Sequence, residues 1–149
     1  MERSEIPRYV PDASVAVKWF IEERDSSNAL RLKQLFESGR IDLEAPSLLW
    51  YELASAIRFH PKARLTLRQF SMVIEALRDM QITREPTNAE WQIAFRLALE
   101  NPISMYDAIY IGVAVVRDSK MITSDMSLLT RLKSRQAREN VLLLRDVTL

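Results

Sequence analysis

The sequence contains no cysteine, only two glycines and a single histidine. Without cysteine there are no disulfides, no thiolate metal sites and no cysteine nucleophile, and the absence fits a reducing compartment. The glycines, Gly39 and Gly112, stand far apart, so neither a P-loop nor a dinucleotide-binding fingerprint can be written. One histidine, His60, leaves little room for a histidine-rich zinc site or a Ser-His-Asp triad, and is expected at the surface. No apolar run reaches the roughly 18 residues that span a bilayer. The amino-terminal stretch MERSEIPRY is charged and lacks the apolar centre of a signal peptide. An excess of one charge is missing too: 21 basic and 20 acidic residues give a formal net charge of +1, so attraction to a polyanion must come from local clustering. What is there is 149 residues, 48% of them apolar, enough for one core. The expectation is a single domain over 1–149, cytoplasmic and without a membrane segment, whose chemistry runs on carboxylates.

Prolines punctuate the chain at Pro11, Pro46, Pro61, Pro86 and Pro102, between apolar segments. Short strands are predicted at 9–10, 41–45, 81–84, 121–123 and 141–144. Helices are predicted over 14–20, 26–38 (with Gly39 as its stop), 47–59, 67–80, 88–99, 104–117 and 127–133. Strands alternating with helices predict an α/β fold with a parallel sheet covered on both faces. The segment Ala108 to Val116 (AIYIGVAVV) has no polar side and must be buried against the sheet or a second subunit. In such sheets ligands sit beyond the carboxyl ends of the strands.

Four acidic residues fall in suggestive places. Asp12 (VPDAS) and Asp125 (ITSDMSLL) each follow a strand and precede a helix, where an N-cap is the plain structural explanation. Asp107 (SMYD) follows Ser104 by three residues, the spacing of a capping box. Glu52 shares a helical stripe with Leu49, Leu53 and Ala56, an apolar setting for a glutamate unless it is paired, bound to a cation or reaching water from the stripe's edge. Taken together they predict a convergence. Two carboxylates about 4 Å apart repel by roughly 4 kcal/mol at an effective dielectric near 20. A site holding several therefore calls for a cation, and hard oxygen ligands select Mg²⁺ or Mn²⁺.

The series VPDAS, LLWYELASAI, ISMYDAIYIGVAV and MITSDMSLL resembles, in order and approximate spacing, the four acidic motifs of PIN domains, and is similar to the toxin subunits of VapBC toxin–antitoxin pairs. The resemblance implies a PIN-like three-layer α/β/α sandwich with a central parallel sheet of four to five strands. It implies that Asp12, Glu52, Asp107 and Asp125 surround one or two divalent ions in an endoribonuclease. In-line attack on an RNA phosphodiester would leave a 3′-hydroxyl and a 5′-phosphate. Ser14 and Thr123 match the family's small hydroxyl residues and would orient carboxylates or water. A cognate antitoxin and a homodimer or higher oligomer are the implied partners, with Trp19, Phe20, Leu49, Trp50 and Leu53 as candidate apolar surface. Pro11 departs from the family's aliphatic residue, because proline cannot donate to a ladder.

A basic stretch, Arg58, His60, Lys62, Arg64 and Arg68, follows the Glu52 helix and would track an RNA backbone, or else forms a solvated loop. Lys18, one turn from Ser14, is a further candidate phosphate contact, or a plain surface lysine. The competing reading from a different class is a catalytically silent PIN-fold binding or assembly module. A phosphoacceptor receiver domain would want paired acids after the first strand and a lysine after the last, where this chain has Asp12 alone and Arg145 with Asp146. Cleavage of DNA or flaps is disfavoured by the lack of an arch or hairpin insert.

Overall fold

A computed structural model describes residues 5–149; the first four residues of the charged amino-terminal stretch lie outside it. The chain begins with β1 (Arg8–Pro11), followed by α1 (Ala13–Ala16), which tightens into a 3-10 turn over Val17–Trp19, and α2 (Ser26–Glu37). Gly39, at φ +74°, takes the left-handed position that closes α2. The short strands β2 (Asp42–Leu43) and β3 (Ala45–Pro46) lead to α3 (Leu48–Arg58), α4 (Leu67–Met80) and β4 (Thr83–Arg84). Next come α5 (Asn88–Glu100), α6 (Met105–Val116), β5 (Lys120–Thr123), α7 (Met126–Arg131), α8 (Arg135–Glu139) and β6 (Val141–Leu143).

The main sheet is parallel with strand order β2-β1-β5-β6, and β3 pairs with β4 in a separate two-stranded parallel ladder. This is the expected α/β arrangement with one difference. The strand predicted over 41–45 is two strands in two sheets, divided at Glu44. Its N–H still donates to the Tyr9 carbonyl (3.1 Å), while that of Ala45 donates to Ile82 (2.8 Å). Helix α8 was not predicted from the sequence; Ser134 caps it by accepting from the Ala137 N–H.

Successive strand residues face opposite layers. Val10, Met121 and Val141 pack with α5, α6 and α7, and Ile122 and Leu43 with the α1–α4 side. The apolar helix α6 is buried, as its lack of a polar face required. It lies so close to α5 that a Cβ at Gly112 would stand 2.7 Å from the Glu90 carbonyl oxygen and 3.1 Å from the Ala94 nitrogen. Both are backbone atoms that cannot turn aside. Gly112→Ala is therefore expected to force the helices apart and cost about 1–3 kcal/mol, read as a lower midpoint in urea with an unchanged m-value.

Pro11 stays in the central strand without breaking it. Pro7 and Tyr9 offer their carbonyls to β2, whereas the Asp12 N–H donates to Ile122 on β5. Pro11 shares the parity of Tyr9, so its missing donor falls on the β2 side, where that strand has already ended at Leu43. Pairing on the other side runs on through Pro11 and Ile122. Trp19, Leu49 and Leu53, expected at a partner surface, are instead core residues, because the first two turns of α3 face α1 and the sheet. Phe20 and Trp50 are half-buried, and the Trp50 Nε1 donates to Thr83 Oγ1 (2.9 Å). Trp91 lies exposed on α5. Among the described residues no helix is long and apolar enough to cross a membrane.

Candidate active site

The adjacent strands β1 and β5 carry two of the four acids past their carboxyl ends, with Pro11 opposite Ile122 as the last matched pair. Asp12 is the N-cap of α1 and Asp125 the N-cap of α7. Both plain capping roles are thus real, and neither uses up the carboxylate. Thr123 ties the two loops together: its Oγ1 donates to Asp12 Oδ2 (2.5 Å) and accepts from the Asp125 N–H (3.1 Å). Ser14 does the same from the other side, donating to Asp12 Oδ1 (2.5 Å) and accepting from the Ser124 N–H (2.8 Å). Both hydroxyls thus hold Asp12 in a fixed orientation. Asp125 Oδ1 accepts from the N–H (2.9 Å) and hydroxyl (2.6 Å) of Ser127.

Glu52 comes from α3 and Asp107 from the first turn of α6. The capping box expected at Ser104 is only half made. Ser104 Oγ accepts from the Asp107 N–H (3.1 Å), without the reciprocal bond that completes the boxes at Thr66 with Gln69 and Thr87 with Glu90. The Asp107 side chain turns to the cleft instead. All four acids line one cleft of about 440 Å³, together with Ser14, Ser55, Phe59 and Tyr110.

Their electrostatics are those of crowded, partly dry carboxylates. Burial pushes Asp12 from the ordinary 3.8 up to about 6, against the hydrogen bonds from Ser14, Thr123 and the Val15 N–H, and the Glu52 charge adds to the rise. Glu52 is raised first by burial and then by Asp107, while burial raises Asp107 against the nearby Arg131 charge, with Asp125 adding to the rise. The repulsions thus run along a chain, Asp12 to Glu52 to Asp107 to Asp125. Tyr110, one turn after Asp107, is buried against the same cleft, and burial with the Glu52 charge pushes its hydroxyl well above the usual phenol range. It leans toward Glu52 closely enough to lower that carboxyl somewhat, yet falls short of hydrogen-bond geometry and has no other partner among the described residues.

Arg131 is the one basic side chain within ion-pair reach of these acids among the described residues. Its Nη2 lies 3.7 Å from Asp107 Oδ2 and 3.8 Å from Asp125 Oδ2. As the side chains stand, no three of the acids converge closely enough to hold a metal ion. The donor set nevertheless fits a hard divalent cation: the polar side chains lining the cleft end in carboxylate or hydroxyl oxygens, three of the carboxyls are raised, and the Tyr110 hydroxyl has no hydrogen-bond partner among the described residues. The acids would have to rearrange to close around it.

The predicted phosphate contacts are placed unequally. Lys18 is a correction: it is 9% exposed, buried not at the surface or on the cleft but with its Nζ on Glu23 Oε1 (3.1 Å), because the 3-10 turn swings it away from Ser14. His60 is likewise buried rather than at the surface. Its Nδ1 accepts from the Ala63 N–H (2.9 Å) and Lys62 N–H (3.2 Å), which leaves Nε2 as the donor to Glu23 Oε2 (2.6 Å). Glu23 is thus the hub of a Lys18–Glu23–His60 cluster, and no motif in the sequence points to it. Arg64 donates to the backbone carbonyls of His60 and Ala63. Lys62 is exposed, and Arg58 lies over the ring of Phe59 (4.9 Å to its centroid), which itself lines the cleft. Tyr110 and Arg131 escaped the sequence reading. The first had a signal in its helical spacing from Asp107, whereas the second depends on α7 packing in the same layer as α6.

The PIN domain profile matches residues 9–134, and the chain belongs to the PIN domain family. Among curated proteins no match is found. Solved structures with the same fold include PAE2754 from Pyrobaculum aerophilum, 18% identical with a TM-score of 0.65, covering 93% of this chain and 85% of that one. VapBC2 from Rickettsia felis, bound to a DNA fragment from its promoter, is 13% identical with a TM-score of 0.64, over 91% and 96% of the two chains. A toxin–antitoxin complex from Klebsiella pneumoniae is 16% identical with a TM-score of 0.64, over 93% and 99%.

Proposed function

We propose that this chain is a Mg²⁺- or Mn²⁺-dependent endoribonuclease, the toxin of a toxin–antitoxin pair, with 1–149 acting as one unit. The observation that carries the reading is the meeting of four carboxylates, from four separate elements, on one cleft where burial and mutual repulsion raise three of them. PIN domains are generally nucleases, and two of the similar structures are toxin–antitoxin assemblies. Asp12, Glu52, Asp107 and Asp125 would hold the ion, which supplies Lewis-acid charge for a phosphodiester. Ser14 and Thr123 keep both oxygens of Asp12 aimed, so little reorganisation is required of it. Phe59 and Arg58 at the rim offer a stacking face and a phosphate contact, with Lys62 and Arg64 further along the same loop.

Partners follow from exposed apolar surface. A groove lined by Phe59, Leu65, Leu67 and Phe70 adjoins the acidic cleft through Ser55 and Phe59, and suits an antitoxin segment. Trp91, Phe95 and Leu99, all exposed at four-residue spacing on α5, suit a second copy of the chain.

The test is incubation of the purified protein with RNA and with single-stranded DNA, in Mg²⁺, Mn²⁺ or EDTA. The expected outcome is cleavage of RNA that EDTA abolishes; cleavage indifferent to EDTA, or of DNA alone, overturns the reading. The open spacing of the acids is also what a silent binding module would show. Such a module would bind no Mn²⁺ in a manner sensitive to Asp107→Asn.

A further inference from the structure

Arg131 ends α7, and its Nε donates to the Ser127 carbonyl (3.2 Å) across its own helical turn. That bond turns the guanidinium back along the helix toward the acidic cleft. Its Nη2 comes to rest between Asp107 of α6 and Asp125 at the start of α7, at 3.7 and 3.8 Å. These distances exceed a direct hydrogen bond and lie within ion-pair reach. No basic side chain approaches Asp12 or Glu52 in this way among the described residues, so the guanidinium serves the outer half of the cleft alone. A guanidinium does not lose its proton in proteins, so this charge cannot be switched off by pH. It leaves only by moving.

We propose that Arg131 is a positioning residue, the resident counter-cation that holds Asp107 and Asp125 together in the ion-free protein and that a divalent ion must displace or work against to reach the same oxygens. The proposal rests on the reading of the four acids as a divalent-ion site. It explains how two facing carboxylates on different helices stay near each other without an ion. It also gives the site a built-in limit on affinity. The single positive charge compensates part of the field that would otherwise draw in a doubly charged ion.

The test is Mn²⁺ titration of wild type, Arg131→Ala and Arg131→Lys by calorimetry, alongside thermal melts in EDTA and in saturating Mn²⁺. Two half-exposed pairs of this kind set the scale: Arg131→Ala is expected to bind Mn²⁺ roughly three- to tenfold more tightly. In EDTA its melting temperature is expected to fall by about 1–4 °C, and in saturating Mn²⁺ the deficit should vanish. Arg131→Lys keeps the charge but not the planar fork, and its affinity should lie between the two. A merely structural arginine would lower stability in both media and leave the Mn²⁺ affinity unchanged, which overturns the proposal, as does weaker binding in Arg131→Ala. If neither wild type nor variant binds Mn²⁺, the divalent-ion reading itself falls and takes this inference with it.

Discussion

Asp12→Asn is expected to remove nuclease activity while making the ion-free protein more stable. The loss of activity follows from position, since Asp12 is the deepest of the four acids and the only one held at both oxygens by side-chain hydroxyls. In the proposed divalent-ion site, removing one ligand charge is expected to cost on the order of a thousandfold in rate, equivalent to about 4 kcal/mol. The gain in stability follows from burial. A carboxyl raised from 3.8 to about 6 on folding is a group the folded state would rather keep protonated. Its stabilising contribution is fully present below about 4 and is lost as pH rises through about 6. At pH 8 the buried charge therefore costs the apo protein roughly 3 kcal/mol. Asparagine removes that charge but has one acceptor oxygen where three donors converge, from Ser14, Val15 and Thr123. The net gain should be about 1–2 kcal/mol, or a few degrees in melting temperature. Melts in EDTA at pH 5 and pH 8 would read it: wild type gains stability on the acid side through this group, and Asp12→Asn flattens that slope. A variant that cleaves RNA normally, or one destabilised at pH 8, would refute the account.

The same residue shows why the meeting of the four acids was readable in sequence. Asp12 and Asp125 sit where strands turn into helices, and a parallel sheet brings adjacent strand ends together, so two acids at such positions meet whenever their strands are neighbours. β1 and β5 are. Glu52 was legible because an acid on an apolar stripe needs a reason to be there. Lys18 and His60 were misread for a shared cause: their partner Glu23 lies in the turn between α1 and α2, where no periodicity announces which way a side chain faces. The division of the predicted 41–45 strand was hidden for a related reason. Glu44 marks the break and stays buried only because arginines from three distant segments reach it, and no local pattern encodes three long-range contacts. Periodicity reports which face is apolar; ion pairs that bridge elements leave no periodic trace.

Those arginines carry the second large effect. Arg84→Ala is expected to be the most destabilising of the substitutions considered, at about 3 kcal/mol, with no loss of the proposed divalent-ion affinity in the folded protein. Arg84 of β4 donates from Nη1 and Nη2 to Glu90 (2.7 Å each) and from Nε to Glu44. Glu44 keeps Arg117 (3.0 Å) and the nearby Arg8 when Arg84 is lost. Glu90 has no such reserve. It is 0% exposed, and its remaining donor is the Thr87 N–H (2.8 Å) in the capping box of α5. Removing one partner of a buried ion pair typically costs 3–5 kcal/mol, because the orphaned charge stays buried. The cap bond and the helix amino terminus hold the loss near the lower end. The sign of the pH response should also change. In wild type, burial raises Glu90 but the Arg84 and Thr87 bonds outweigh it, so the carboxyl lies below its ordinary value; its contribution is present above that value and is lost in acid. Without Arg84, burial dominates, and acid should relieve part of the deficit by protonating Glu90. Arg84→Met with Glu90→Gln should recover most of the lost stability, since neutral partners carry no buried charge. The cluster begins at Arg8 and ends at Arg117, the far ends of β1 and α6 from Asp12 and Asp107. Its loss therefore tests the scaffold separately from the chemistry. A fall in Mn²⁺ affinity parallel to the fall in stability would show that the two ends of those elements are coupled after all.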